Sequence, residues 1–181
     1  MIRNMLHFLF RVFVVFLSVH QFSYAFEEAK TYILFAIDSD DYIEELTISG
    51  EETLHVTKVN TDDLITYYLL EADEGSYYFS RIKTGLGKVK LDSDYSWEFE
   101  VVKNKVNYAG HMEINREYIG ALNGGYSHVA LANKSSFAIE YLKKQHPLLF
   151  DKKSLVYQGP GKDDFIAFYL SNYFTVGENN P

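Results

Sequence analysis

Cysteine is absent from all 181 residues. That absence removes disulfides, thiolate nucleophiles, Cys-ligated zinc, iron–sulfur clusters and lipid attachment through an N-terminal cysteine. Positive charge is scarce as well, with 17 Lys and Arg against 25 Asp and Glu and a net charge of −8. Nucleic acids and anionic membrane surfaces attract clustered Lys and Arg, so neither is an expected partner. The one basic cluster, Arg81, Lys83, Lys88 and Lys90, is too small to reverse that balance. An uninterrupted membrane-length run is missing too, because Arg11 divides the apolar N-terminus and the remainder falls short of the ~20 residues a span needs.

What the chain has in quantity is core material: 47% hydrophobic and 17% aromatic residues, enough to exclude a disordered polypeptide over most of its length. Residues 1–25 read as a secretory signal. Arg3 and Arg11 give the positive start, Val12 to Val19 the apolar core, and Ser23 and Ala25 the small residues before a cut after Ala25. The cut takes two arginines and no acid, which moves the net charge of the mature chain to about −10, and it leaves no stable membrane span. An exported chain without disulfides fits a bacterial periplasm or medium. The sequon Asn133-Lys134-Ser135 is one match at a frequency near chance.

From Tyr32 onward, period-two patterning dominates. Tyr32 to Ile37 is apolar on both faces and suits a strand buried on both sides. Tyr42–Ile48, Thr53–Val59, Ile65–Glu71, Ser76–Lys83 and Tyr95–Val102 follow as β-branched or aromatic runs, divided by Ser49-Gly50, Asn60 to Asp62, Glu74-Gly75 and Gly85 to Gly87. In Tyr95 to Val101 the aromatic positions alternate with Ser96, Glu98 and Glu100, the pattern of a half-buried antiparallel strand. Lys103 to Lys105 is expected to be a hairpin turn into Val106–Ile114, and Asn123-Gly124-Gly125 a turn between Tyr118–Leu122 and Tyr126–Leu131. Short strands at this spacing, without long crossover helices, predict an antiparallel β-sandwich of immunoglobulin or transthyretin type.

The period changes after Leu131. Ser135 or Ser136 can cap a helix over Phe137–His146 with a stripe of Ala138, Tyr141 and Leu142, ended by Pro147, and Lys143, Lys144 and His146 offset its dipole. Phe165–Leu170 fits either a closing strand or a second short helix, and Val176–Pro181 reads as a disordered tail. The expected organisation is therefore a signal peptide (1–25), a sandwich domain (26–132), a helical appendage with a closing segment packed on it (133–175), and the tail (176–181).

Gly75-Ser76-Tyr77-Tyr78, the strand Trp97–Val102 and Val106-Asn107-Tyr108-Ala109-Gly110 together resemble the uncharacterised exported bacterial proteins that carry a transthyretin-like or carboxypeptidase-regulatory-like β-sandwich. In that group the strands are written around Pro-x-Gly-x-Tyr and Tyr-x-Gly, and here Asp73-Glu74 precedes Gly75. The resemblance covers roughly residues 65–115. It implies a sandwich with no associated catalytic site and names no ligand.

Motifs for chemistry are mostly broken. Gly85-Leu86-Gly87-Lys88 lacks the first glycine and the closing Ser or Thr of a phosphate loop, and Lys90 stands where a dinucleotide fingerprint needs glycine. Gly125-Tyr126-Ser127-His128-Val129 lacks the last glycine of a nucleophile elbow, and adjacent Ser127 and His128 point to opposite faces of a strand. His111 and Glu113 share a strand face with His128 expected nearby, so these three are the candidate metal ligands, weighed against ordinary polar residues on a solvated face. Asp38 to Asp41 and Asp92 to Asp94 are oxygen-rich loops that interrupt the calcium-loop pattern. Glu98 and Glu100 share a face at a spacing compatible with paired glycosidase acids, as alternating surface glutamates generally are. Tyr67, Tyr68, Tyr77, Tyr78, Tyr126 and Tyr141 are expected mainly in the core or at its edge.

Two readings follow. The first is a non-enzymatic binding or structural module of the bacterial envelope, periplasmic or secreted, without a cofactor, that meets an envelope protein or surface component through edge strands and the helix. The second is a secreted hydrolase or metal-dependent enzyme whose site is assembled from distant strands, with His111, Glu113 and His128 as its residues. Sequence alone names no oligomeric state.

Overall fold

In the computed structural model the described residues are 30–178, apart from 41, 60–64, 86, 92–96 and 120–123. The chain alternates between two sheets. β1 (Tyr32–Ser39) belongs to the first, β2 (Ile43–Gly50) and β3 (Leu54–Val59) to the second, and β4 (Thr66–Glu71) returns to the first. β5 (Gly75–Thr84), β6 (Gly87–Lys90) and β7 (Glu98–Val101) extend the second sheet, then β8 (Val106–Ile119) and β9 (Gly124–Ala132) the first. Two helices, α1 (Ser135–Gln145) and α2 (Pro147–Lys152), precede β10 (Leu155–Tyr157), and α3 (Asp164–Glu178) follows it. The first sheet runs β10-β8-β1-β4, with β9 beside β8, and the second runs β3-β2-β5-β6, with β7 beside β5.

In each sheet one long strand carries two short neighbours end to end along one edge. β10 pairs with Val106–Tyr108 of β8 and β9 with His111–Ile119. β7 pairs with Gly75–Tyr78 of β5 and β6 with Arg81–Thr84.

The two sheets pack together as a β-sandwich, and the helices cover the outer side of the first sheet. β1 explains why its sequence is apolar on both faces. Ile33, Phe35 and Ile37 enter the core between the sheets with Leu46, Ile48, Phe79, Phe99 and Met112, whereas Leu34 enters a second core with Tyr108, Ala138, Leu142, Phe150 and Ile166 beneath the helices. Phe79 joins the sheets, with its ring 5.5 Å from Phe35 and 5.2 Å from Phe99. Each such fully buried large apolar side chain contributes roughly 1.5–3 kcal/mol of transfer free energy.

Three register shifts change which residues share a face, one at Glu44 of β2 and two that shape the sites below. On β8, Tyr108 pairs with Leu34 and Gly110 with the next residue, Phe35, so Ala109 is the extra residue and Gly110 takes φ 122°. Tyr108 and His111, three apart, thereby come to the same side. On β5, Phe79 pairs with Ile48 and Arg81 with Thr47, leaving Ser80 as the extra residue. Phe79 and Ile82 both face the core as a result, and Ser80 and Arg81 both reach Thr47 on the outer face.

Several expectations are refined. The first sheet is mixed, because β8 runs parallel to β1 and β10 parallel to β8, and alternation of side chains does not encode strand direction. The return to β10 passes through α1 and α2, a helical crossover not expected from the sequence; the described residues hold three helices, where one was expected and a second left open at Phe165–Leu170. Lys103 to Lys105 joins different sheets instead of forming a hairpin. Asn104 adopts φ 60°, and buried Asn107 clamps the passage by accepting from the Val102 amide at 2.9 Å and donating to the carbonyls of Val102 and Tyr32. Ser135 lies within α1 and does not cap it; its amide donates to Asn133 Oδ1 at 3.0 Å. Pro147 both ends α1 and opens α2, where a proline lacks no needed hydrogen. Phe165–Leu170 is helical, and α3 continues to Glu178, so Val176–Glu178, expected in a tail, are helical; residues 179–181, the signal segment and Asn123 lie outside the described residues.

Candidate functional site

The sequence candidates concentrate attention on His111, whose ring is fully buried between the first sheet and the helices. Tyr108 Oη stands 2.6 Å from its Nδ1, and Tyr67 Oη, from β4, 3.1 Å from its Nε2. Tyr108 Oη also accepts the Lys134 amide at 3.1 Å, just before α1. Tyr108, fully buried, spends its hydrogen inside the protein when it donates to Nδ1 and the Nε2 hydrogen goes to the less buried Tyr67, which favours that neutral tautomer. Tyr67 in turn stacks on Tyr141 of α1 with ring centres 4.2 Å apart, and Tyr141 Oη lies 3.2 Å from His146 Nε2.

Burial keeps the cluster uncharged. It holds His111 down to about 4 from 6.5, with the Lys134 ammonium adding to the effect and Glu113 opposing it. It pushes Tyr67 up to about 12, assisted by Glu140 and Tyr141, and raises Tyr108 further still. Both ring nitrogens of His111 are therefore committed to phenols, and a metal would have to displace one of them.

Glu113 lies on the same strand but is taken by Lys134, whose Nζ is 2.6 Å from Glu113 Oε1 and 3.8 Å from Asp38 Oδ2. His128 is exposed and opposite Asn115, four residues from Ala132, the residue paired with His111. That offset is about 13 Å along the strand. The structure thus brings His111 and Glu113 to one region and leaves His128 apart, and among the described residues no group of three His, Asp or Glu is arranged to hold a metal ion. Asp38 serves the Lys134 pair, and the loop at residues 92–96 lies outside the described residues. Glu98 and Glu100 are exposed on β7, with Phe99 and Val101 alternating into the core.

Sequence reasoning missed a different place. The outer face of the second sheet carries a recess of about 390 Å³ lined by Thr47, Ser49, Thr53, Tyr78, Ser80, Arg81, Lys90 and Leu91. Alternation places Thr47 and Ser49 outward from β2, the β5 bulge adds Ser80 and Arg81, and β6 brings Lys90 opposite Arg81. Ser49 Oγ donates to Ser80 Oγ at 2.8 Å, which donates to the Thr47 carbonyl at 3.2 Å. Arg81 Nη2 donates to Thr47 Oγ1 at 3.3 Å and lies 3.5 Å from Glu45 Oε1. Hydrogen bonds from Thr47 and His55, with the charges of His55 and Arg81, hold Glu45 below the usual carboxylate range against a smaller desolvation effect. The signals for this place were the basic cluster and the hydroxyl residues alternating along β2; the parity shift that unites them was not legible.

Such a lining can donate and accept hydrogen bonds in several directions and present positive charge; it is suited to holding a polar ligand. No family model matches the chain, and comparison with curated proteins and with solved structures finds no match. Among the described residues no helix is long and apolar enough to cross a membrane.

Proposed function

We propose that this chain is an exported, non-enzymatic binding module of the bacterial cell envelope, and that it holds its ligand on the open face of the second sheet. The observation that carries the reading is the contrast between the two outer faces. The first sheet buries its outer face under three helices, whereas no described helix covers that of the second, which carries a polar recess of about 390 Å³. That volume falls in the range of roughly 300–1,000 Å³ common for ligand pockets. His111, the most deeply buried titratable candidate, is engaged in joining the helices to the sheet and belongs to the scaffold. Export rests on the basic start, apolar core and small residues of positions 1–25.

Photoreactive side chains test the location. One is placed at Thr53 on the rim of the recess, the other at Phe168, which is 69% exposed on α3. In the protein exported by its own cells, illumination is expected to give covalent adducts from position 53. Adducts from position 168 alone, or from neither, would overturn the assignment of the binding face.

A further inference from the structure

We propose that the recess on the second sheet is a site for an acidic sugar, a ring that carries one carboxylate and several hydroxyls; this rests on the binding role assigned to that face above. The charges come first. On a chain of net charge −8, the β5–β6 hairpin sets Arg81 directly opposite Lys90 and Lys83 directly opposite Lys88. Like charges opposite each other across strands destabilise the pair, so the arrangement calls for an anion. Two of the four already have one: Glu45 lies 3.5 Å from Arg81, and Glu44 lies 2.5 Å from Lys83. Lys88 and Lys90 have no ion-pair partner among the described residues, and of these Lys90 lines the recess. Its ammonium is the group that receives a ligand carboxylate, with Arg81 beside it.

The remaining lining is more than a bare anion needs. Ser49 Oγ spends its hydrogen on Ser80 and keeps its lone pairs, while the hydroxyls of Thr53 and Tyr78 have no partner among the described residues. Ser49 can accept from ring hydroxyls, and Thr53 and Tyr78 can both accept from and donate to them. Tyr78 supplies apolar wall for the C–H side of a sugar ring. One charge, several hydroxyls and an apolar surface together define the ligand class.

Backbone amide shifts in a two-dimensional NMR titration of the mature chain decide the matter, with glucuronate, glucose and inorganic phosphate as three separate probes. Glucuronate is expected to move the amides of Ser49, Thr53 and Ser80, and to bind at least about tenfold more tightly than either other probe, the ratio that one charge-assisted hydrogen bond gives. Lys90→Ala, at an exposed position, should weaken glucuronate at least about tenfold, and Lys88→Ala, outside the lining, less than about twofold. Phosphate binding as tightly as glucuronate would make this a simple anion site and overturn the sugar assignment, as would glucose binding equally well. Equal losses in Lys88→Ala and Lys90→Ala would reduce the effect to general attraction and overturn the site. Adducts at Thr53 without glucuronate shifts would overturn the ligand class and leave the binding face standing.

Discussion

Protonating His111 would place a charge in a fully buried position whose two hydrogen-bond partners are phenols. Its pKa in the folded chain is about 4, below the 6.5 of an ordinary histidine. Between those values the unfolded chain takes up a proton that the folded chain refuses, so stability is full above about pH 6.5, falls as pH drops, and levels off below about 4. The loss across that window is on the order of 3 kcal/mol. Urea denaturation at pH 7 and pH 4.5 is expected to show it. In His111→Phe the loss between the two pH values should shrink, and the variant should be weaker by about 2 kcal/mol at pH 7, because Tyr108 and Tyr67 lose their partner inside the protein. An unchanged pH dependence in the variant would show that His111 is not the group responsible. The sequence made His111 a metal candidate because its partner Tyr67 is 44 positions distant, and Tyr108, three positions away, should face the other side of a regular strand.

At the scale of elements, the β8 bulge brings those residues together, and Gly110 permits it. A Cβ on Gly110 would lie 3.0 Å from Leu131 Cγ and 3.2 Å from the Ala132 carbonyl, on backbone at φ 122° that side chains disfavour. Gly110→Ala should cost about 1–3 kcal/mol and disturb the His111 ring signals in NMR, and a melting temperature equal to the parent's would contradict the strained geometry. α3 depends on Asp163 in a comparable way. Burial acts to raise its carboxyl, but hydrogen bonds from Ser135, Asn133 and the amides of Ile166 and Phe165 hold it below the usual carboxylate range. Phe165 and Ile166 donate at 2.8 and 3.1 Å, capping the helix, and Ser135 ties the same carboxylate to α1. Asp163→Ala should remove about 1–2 kcal/mol and speed amide exchange over the first turn of α3. Most strands were legible because alternation, β-branched residues and turn residues agree there, as at Tyr42–Ile48 and Ser76–Lys83. The short β6 and β10 were not, since four and three residues carry no usable period.

For the molecule as a whole, the sandwich and its helical cover follow from β1, the apolar strand that needs a partner on each side. Pairing direction and the sorting of strands between sheets depend on contacts across the fold that local pattern does not record, and so does the recess on the second sheet. The opposed cations there predict that binding is kept at a cost in stability. Lys90→Glu, which gives Arg81 an opposite charge across the strands, should raise stability by about 0.2–1 kcal/mol in thermal unfolding and abolish glucuronate binding. The most direct test is native mass spectrometry of the exported protein with glucuronate added and the N-terminus read from the same sample. The expected result is a chain starting at Phe26 that carries one glucuronate, with the adduct lost in Lys90→Ala. A chain that keeps Met1, or one that stays at its own mass in saturating glucuronate, would contradict an exported module with an acidic-sugar site on its open sheet.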